Sequence, residues 1–136
     1  MTAAAHMRSG AGEIFTRRWN DPAHGGDGTR ILVCRYRPRG VRREDATWDE
    51  WIKEVSPSPE LLRAFHGKEQ APIGDRMFRR RYLSEMRKEP AHAQVQALAE
   101  RVAGGETVTL LCSSACVDES RCHRTMLREL LLEETG

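Results

Sequence analysis

The chain has 136 residues, with 22 Lys and Arg against 20 Asp and Glu, a formal net charge of +2, and 39% hydrophobic and 31% charged residues. That length suits one domain with its own core, and so even a balance excludes whole-molecule attraction to nucleic acid as the organising feature. No apolar stretch reaches membrane-spanning length, and no membrane partner is expected.

Residues 1–12 lack the apolar run of a secretory signal and read as a disordered or frayed tail. Residues 13–136 read as a single α/β domain. A cytoplasmic, reducing setting is expected, so the four cysteines are weighed as thiols or ligands before disulfides. Residues 13–19 have the β-branched and aromatic content of a short strand, and 20–28 carry turn residues. Residues 29–36 contain the continuous apolar run Ile31-Leu32-Val33-Cys34, which suits a strand covered on both faces. Pro38 and Gly40 end it.

Trp48, Trp51, Ile52 and Val55 keep a helical period, with Thr47 as N-cap and Glu50 completing a capping box, so a helix is expected over 47–55. Ser58 and Pro59 open another, with Leu61, Leu62 and Phe65 on its apolar side. Residues 75–88 place Phe78, Tyr82 and Met86 at spacings of four. Pro90 opens the next helix, carrying Val95, Leu98 and Val102, and Gly104-Gly105 stops it. Val108 to Leu111 repeat the buried-strand pattern. A turn over 113–119 leads to a last helix from about Ser120 to Glu134, with Leu127, Leu130 and Leu131 inward. Two buried-type strands separated by helices imply a three-layer α/β domain with a short, mainly parallel sheet flanked by helices.

In such sheets ligands bind beyond the carboxyl ends of the strands. Cys112 closes one predicted strand, and Cys122, His123 and Arg124 fall in the first turn of the helix that follows. That turn offers unsatisfied N–H groups and the positive end of the helix dipole, which favour a thiolate or a bound anion. Three readings follow: Cys122 as nucleophile or redox thiol with His123 or Arg124 assisting; a metal held by Cys112, Cys116, Cys122 and His123; or small core and cap cysteines at a helix end that binds an anion or nothing. A phosphatase-type loop would return an Arg to its Cys, but Asp118 and Cys122 stand at the corresponding positions after Cys112 and Cys116. The spacing also lacks a Cys-x-x-Cys knuckle, so no metal or other cofactor is assigned.

Arg35, Arg37 and Arg39 leave the other central strand at its carboxyl end. With the two strands parallel and adjacent, Arg35 and Arg124 would converge on one anion. The candidate site is therefore Cys122 and His123 for chemistry, with Arg35, Arg39, Cys112, Arg124 and Tyr82 around the ligand, a small anion or a nucleic-acid phosphate. The competing reading is a non-catalytic interaction or structural domain with inert thiols. Trp48, Trp51, Phe78 and Tyr82 read as core by their periodicity, and His6, His24, His66 and His92 show no ligand spacing.

Asp27-Gly28-Thr29-Arg30-Ile31-Leu32-Val33, Arg35, Pro38-Arg39-Gly40-Val41, Trp51 through Ser58, and Phe78, Tyr82 and Glu85 together resemble the YeaO-like branch of the domain of unknown function 488 family. Cys112 with Cys122-His123-Arg124 resembles the closing strand and helix of another branch. The resemblance covers nearly all of the chain after residue 13 and implies a compact α/β domain without assigning an activity. Where the YeaO-like pattern has Asp before the Arg of the first strand, this chain has Cys34. Where that pattern has Trp before Pro-Arg-Gly, it has Arg37.

Overall fold

The computed structural model describes residues 10–67, 71–113 and 121–135. Four strands form one sheet: β1 (Ile14–Arg18), β2 (Thr29–Leu32), β3 (Glu50–Trp51) and β4 (Val108–Cys112). Four helices accompany it: α1 (Pro59–His66), α2 (Asp75–Met86), α3 (Ala91–Ala103) and α4 (His123–Thr135). The strand order is β1-β4-β2-β3 and every pairing is parallel. The two apolar runs expected to be neighbours are neighbours, with Ile31 opposite Leu110 and Leu32 opposite Leu111.

Alternation along the strands divides the sheet into two faces. Ile14, Ile31, Val33, Val108 and Leu110 face one core with side chains from all four helices, among them Leu61, Tyr82, Val95 and Leu127. Arg30 and Thr109 point the other way, where Arg30 Nε donates to the Thr47 carbonyl at 2.7 Å and Thr109 Oγ1 donates to the Asp27 carbonyl at 2.8 Å. The domain is thus a three-layer α/β arrangement. On the face of Arg30 and Thr109, the segments that join β1 to β2 and β2 to β3 supply these partners, the second of them carrying a 3-10 turn at Arg43–Asp45.

The Asp-Gly-x-Arg element has a structural task here. The Asp27 carboxylate takes Arg17 at 3.0 Å and Arg30 at 2.5 Å. Gly28 has φ of +65°, and a Cβ there would lie 2.1 Å from the Thr107 carbonyl oxygen. Only glycine reaches that left-handed conformation with the strand packed so closely.

The helix expected over 47–55 is not formed. Glu50–Trp51 is a short edge strand, with Ile31 opposite Glu50 and Leu32 opposite Trp51, and Lys53–Val55 is a 3-10 turn. The exposed edge of β2 explains the difference. Arg30 and Leu32 carry backbone groups that need partners, and this segment supplies them: Asp49 N donates to Arg30 O at 2.7 Å, Ile52 N donates to Leu32 O at 3.0 Å, and the Asp49 carboxylate accepts from Arg30 N at 2.9 Å. Thr47 caps nothing and instead donates to the Trp19 carbonyl. Glu50 joins no capping box and instead holds Arg101 at 2.7 Å. Trp51, expected in the core, is 39% exposed.

The remaining helices follow their sequence cues. Ser58 Oγ accepts from Leu61 N at 3.1 Å and Pro59 sits at the start of α1, while Gly67 closes it in the left-handed region with φ of +70°. Phe78, Tyr82 and Met86 are buried on α2, and Val95, Leu98 and Val102 on α3. Most of the 113–119 turn and the proposed N-cap Ser120 lie outside the described residues. Among those described, no helix is long and apolar enough to cross a membrane.

Candidate functional site

Because β2 and β4 are parallel neighbours, their carboxyl ends deliver Val33, Cys34 and Cys112 to one edge of the sheet. Val33 N donates to Leu111 O at 2.9 Å and carries the pairing one residue past β2. α4 begins at that edge with His123. Its Nε2 lies 2.7 Å from the Val33 carbonyl, and its Nδ1 lies 3.8 Å from Cys112 Sγ. A carbonyl only accepts, so Nε2 carries a proton and Nδ1 is the nitrogen that faces the Cys112 sulfur. The ligand atoms of Cys112, Cys122 and His123 lie within 4.8 Å of one another, and all three residues are buried.

Tyr82 forms the wall behind this cluster. Its ring meets the His123 imidazole edge-on at 5.6 Å between centroids, and its hydroxyl donates to the Val55 carbonyl at 2.7 Å. Burial holds the phenol well above its ordinary range, with negative charge at Cys122, Cys112 and Glu85 adding to the effect. The hydroxyl therefore stays protonated as a donor. Next along α2, the Glu85 carboxylate accepts from Ser58 N at 2.9 Å and from Ser58 Oγ at 2.5 Å. Tyr82 and Glu85 together fix the 55–58 segment, and that segment holds Arg35, whose Nε and Nη2 donate to the Pro57 and Ser56 carbonyls at 3.1 and 3.2 Å.

A cleft of about 920 Å³ opens over the cluster. Cys34, Arg35, Arg39, Cys112, Cys122 and His123 contribute to its lining, so Cys34 faces the site. Phe65 and His66 at the end of α1 form the opposite side, with Arg121. The arginines of the turn after β2 are placed differently. Arg35 reaches backbone carbonyls. Arg37 lies 5.2 Å over the Trp48 ring and donates to the Val41 carbonyl. Arg39 is exposed. Among the described residues, none of the three forms an ion pair with a carboxylate. Arg121 does, meeting Asp75 at 3.1 Å.

Of the residues expected at the site, Cys112, Cys122, His123, Arg35 and Arg39 are brought together at this cleft. The sequence neighbour of His123 is Cys122, yet the thiol its Nδ1 meets is Cys112. Tyr82 is fully buried and supports the imidazole from behind. Arg124 is buried and does not line the cleft. Its charge is felt at Asp21, where the Arg18 hydrogen bonds chiefly hold the carboxyl below the usual range and Arg124 adds to them. Arg35 and Arg124 therefore do not converge. Successive helical residues point about 100° apart, so His123 facing the cleft turns Arg124 away from it. Cys116, weighed as a metal ligand, lies outside the described residues. Sequence reasoning missed His66, Arg121 and the Val33 carbonyl. Only Arg121 carried a signal, as a cation two residues before His123.

Comparison with known proteins places these features in a lineage. The family described as the active DUF488-N3 subclade matches residues 14–135. The chain is 41% identical to the uncharacterized protein YeaO of Escherichia coli strain K12 over 101 residues, 74% of this chain and 83% of that one. It is 33% identical to the uncharacterized protein Mb3100c of Mycobacterium bovis over 105 residues, 77% of this chain and 81% of that one. No solved structure matches. The family match spans both strand ends, the Tyr82–Glu85 support and the Cys–His cluster, and the chain belongs to the DUF488 family, in its YeaO-like branch.

Proposed function

We propose that the cleft binds an anionic ligand, of phosphate or carboxylate type, and presents it to a thiol served by His123. One observation carries this reading: a Cys112–His123 contact and three arginines that no described carboxylate neutralises open onto the same cleft. Unneutralised guanidinium groups at a partly enclosed surface are matched to planar anions. The thiol proton of Cys112 passes to Nδ1 of His123, leaving a thiolate beside an imidazolium whose Nε2–H stays on the Val33 carbonyl. Cys122 is a second thiol within reach, and Cys34 stands at the mouth. Arg35 and Arg39 supply the positive rim, while Tyr82 supports the segment that positions Arg35.

Alkylation of the reduced, chelator-treated chain tests both halves of this reading. Iodoacetate and iodoacetamide each form an S–C bond and expel iodide, but only iodoacetate is an anion. The expected result is thiolate-dependent labelling of Cys112 or Cys122 with a midpoint below about 8.5, the ordinary thiol value. The iodoacetate rate is expected to be favoured and to fall in Arg39→Glu. Protection by inorganic phosphate indicates a small-anion site, and protection by a single-stranded oligonucleotide alone indicates nucleic-acid phosphate. A midpoint near 8.5 together with equal reagent rates in wild type and Arg39→Glu would overturn the proposal in favour of inert thiols.

A further inference from the structure

Cys112 Sγ, Cys122 Sγ and His123 Nδ1 also have the composition and spacing of a metal centre. We infer that these three atoms bind a thiophilic divalent cation of the Zn²⁺ type, with a fourth coordination position opening into the cleft. This goes beyond the thiol reading and does not rest on it, because with the cation in place the thiolates are ligands rather than nucleophiles.

The geometry comes first. Zn–S bonds of about 2.3 Å and Zn–N bonds of about 2.0 Å at tetrahedral angles separate a sulfur from a nitrogen by roughly 3.6 Å and two sulfurs by roughly 3.8 Å. The Cys112 Sγ to His123 Nδ1 distance is 3.8 Å, and all three donor atoms fall within 4.8 Å of one another. Small side-chain rotations close that gap. The donors come from the end of β4, the first residue of α4 and the residue before it, and each is at most 7% exposed.

The second observation is the orientation of the imidazole. A ligating histidine donates its other ring N–H to a carbonyl or carboxylate, which fixes the tautomer and raises ligand basicity. His123 does so through Nε2 to the Val33 carbonyl at 2.7 Å, which turns Nδ1 toward Cys112 Sγ, 3.8 Å away. The Tyr82 ring fixes the imidazole from the side.

Charge is the third. Two thiolates neutralise a divalent cation, so the loaded centre can stay buried without a further counter-ion. Two Cys and one His form the set of zinc sites that keep a position for water or substrate. All three residues contribute to the cleft lining, so that position faces the volume edged by Arg35 and Arg39. An anion held there is placed to become the fourth ligand.

Co²⁺ titration of the reduced, chelator-treated full chain tests this. One equivalent per chain is expected to produce a thiolate-to-cobalt charge-transfer absorption of two-thiolate intensity, displaced by Zn²⁺. Cys112→Ser and Cys122→Ser should each weaken binding at least about tenfold, whereas Cys34→Ser, which alters a cleft thiol outside the cluster, should retain it. In the unmutated protein, Zn²⁺ should block iodoacetamide labelling of Cys112 and Cys122 when the labelled peptides are mapped by mass. Absence of the thiolate band in wild type, or labelling unaffected by Zn²⁺, overturns the site. A three-thiolate band that Cys116→Ser reduces overturns the open fourth position. Because the decisive readings come from the native sequence, misfolding of a variant does not obscure them.

Discussion

His123 Nε2 and the Val33 carbonyl stand 2.7 Å apart, and this bond determines which edge of the imidazole meets Cys112. A glutamine amide nitrogen reaches the place of Nε2, but glutamine has no basic nitrogen in the place of Nδ1. His123→Gln is therefore expected to keep the bond to Val33 and lose the base. His123→Ala loses both and leaves a buried carbonyl unpaired, which costs about 1–3 kcal/mol. Urea denaturation should show the glutamine variant to be the more stable of the two, while iodoacetamide labelling at neutral pH should slow alike in both. Equal stability would mean that the Val33 bond does not orient the ring.

Tyr82→Phe removes only a hydroxyl, yet it strands the buried Val55 carbonyl that this hydroxyl satisfies at 2.7 Å. The expected loss is about 1–3 kcal/mol in the denaturant midpoint. The anchored 55–58 segment carries the carbonyls that hold Arg35, so the variant should also lose part of the preference for iodoacetate over iodoacetamide. A stability loss with that preference unchanged would show Tyr82 to support the core alone.

Acid stability should depend on Asp27. Burial raises its carboxyl, but the His24 backbone N–H and the Arg17 and Arg30 side chains outweigh that and hold it below its ordinary 3.8. The unfolded chain therefore takes up this proton at higher pH than the folded one. The stabilisation is complete above about 3.8 and is lost as pH falls toward the folded value. Glu106, lowered chiefly by Arg101, and Asp21 lose theirs in the same direction. Asp27→Asn should flatten part of the acid limb in pH-dependent urea titrations. It should also cost about 3 kcal/mol at neutral pH, because it leaves the buried Arg30 without its counter-charge. An acid limb identical to wild type would remove Asp27 from this account.

The strands that build the site were legible because a continuous apolar run is a local property. Ile31 to Cys34 and Val108 to Leu111 announce buried strands without reference to the rest of the chain. The 47–55 segment was not legible, since its conformation answers the unpaired edge of β2, and its local helical period lost to that demand. At the site, Cys112 and His123 could each be named. Their contact could not, because it depends on two strand ends and a helix start meeting in space. Arg124 misled for the complementary reason: adjacency in sequence carries a side chain around the helix, away from its neighbour's surroundings. His66 enters the cleft from the end of α1, with no spacing that ties it to the cysteines.

The floor and the wall of the cleft are built to different standards. Cys112 and His123 are fixed by a strand at the centre of the sheet and by a helix, whereas the side that carries Arg35 hangs from α2 by one hydrogen bond at Tyr82 and two at Glu85. The Cys–His cluster and the Arg35 side of the cleft therefore rest on different elements, with Tyr82 the point they share. A substitution at Glu85 acts on the segment that bears Arg35, whereas one at Tyr82 acts on that segment and on the His123 ring together.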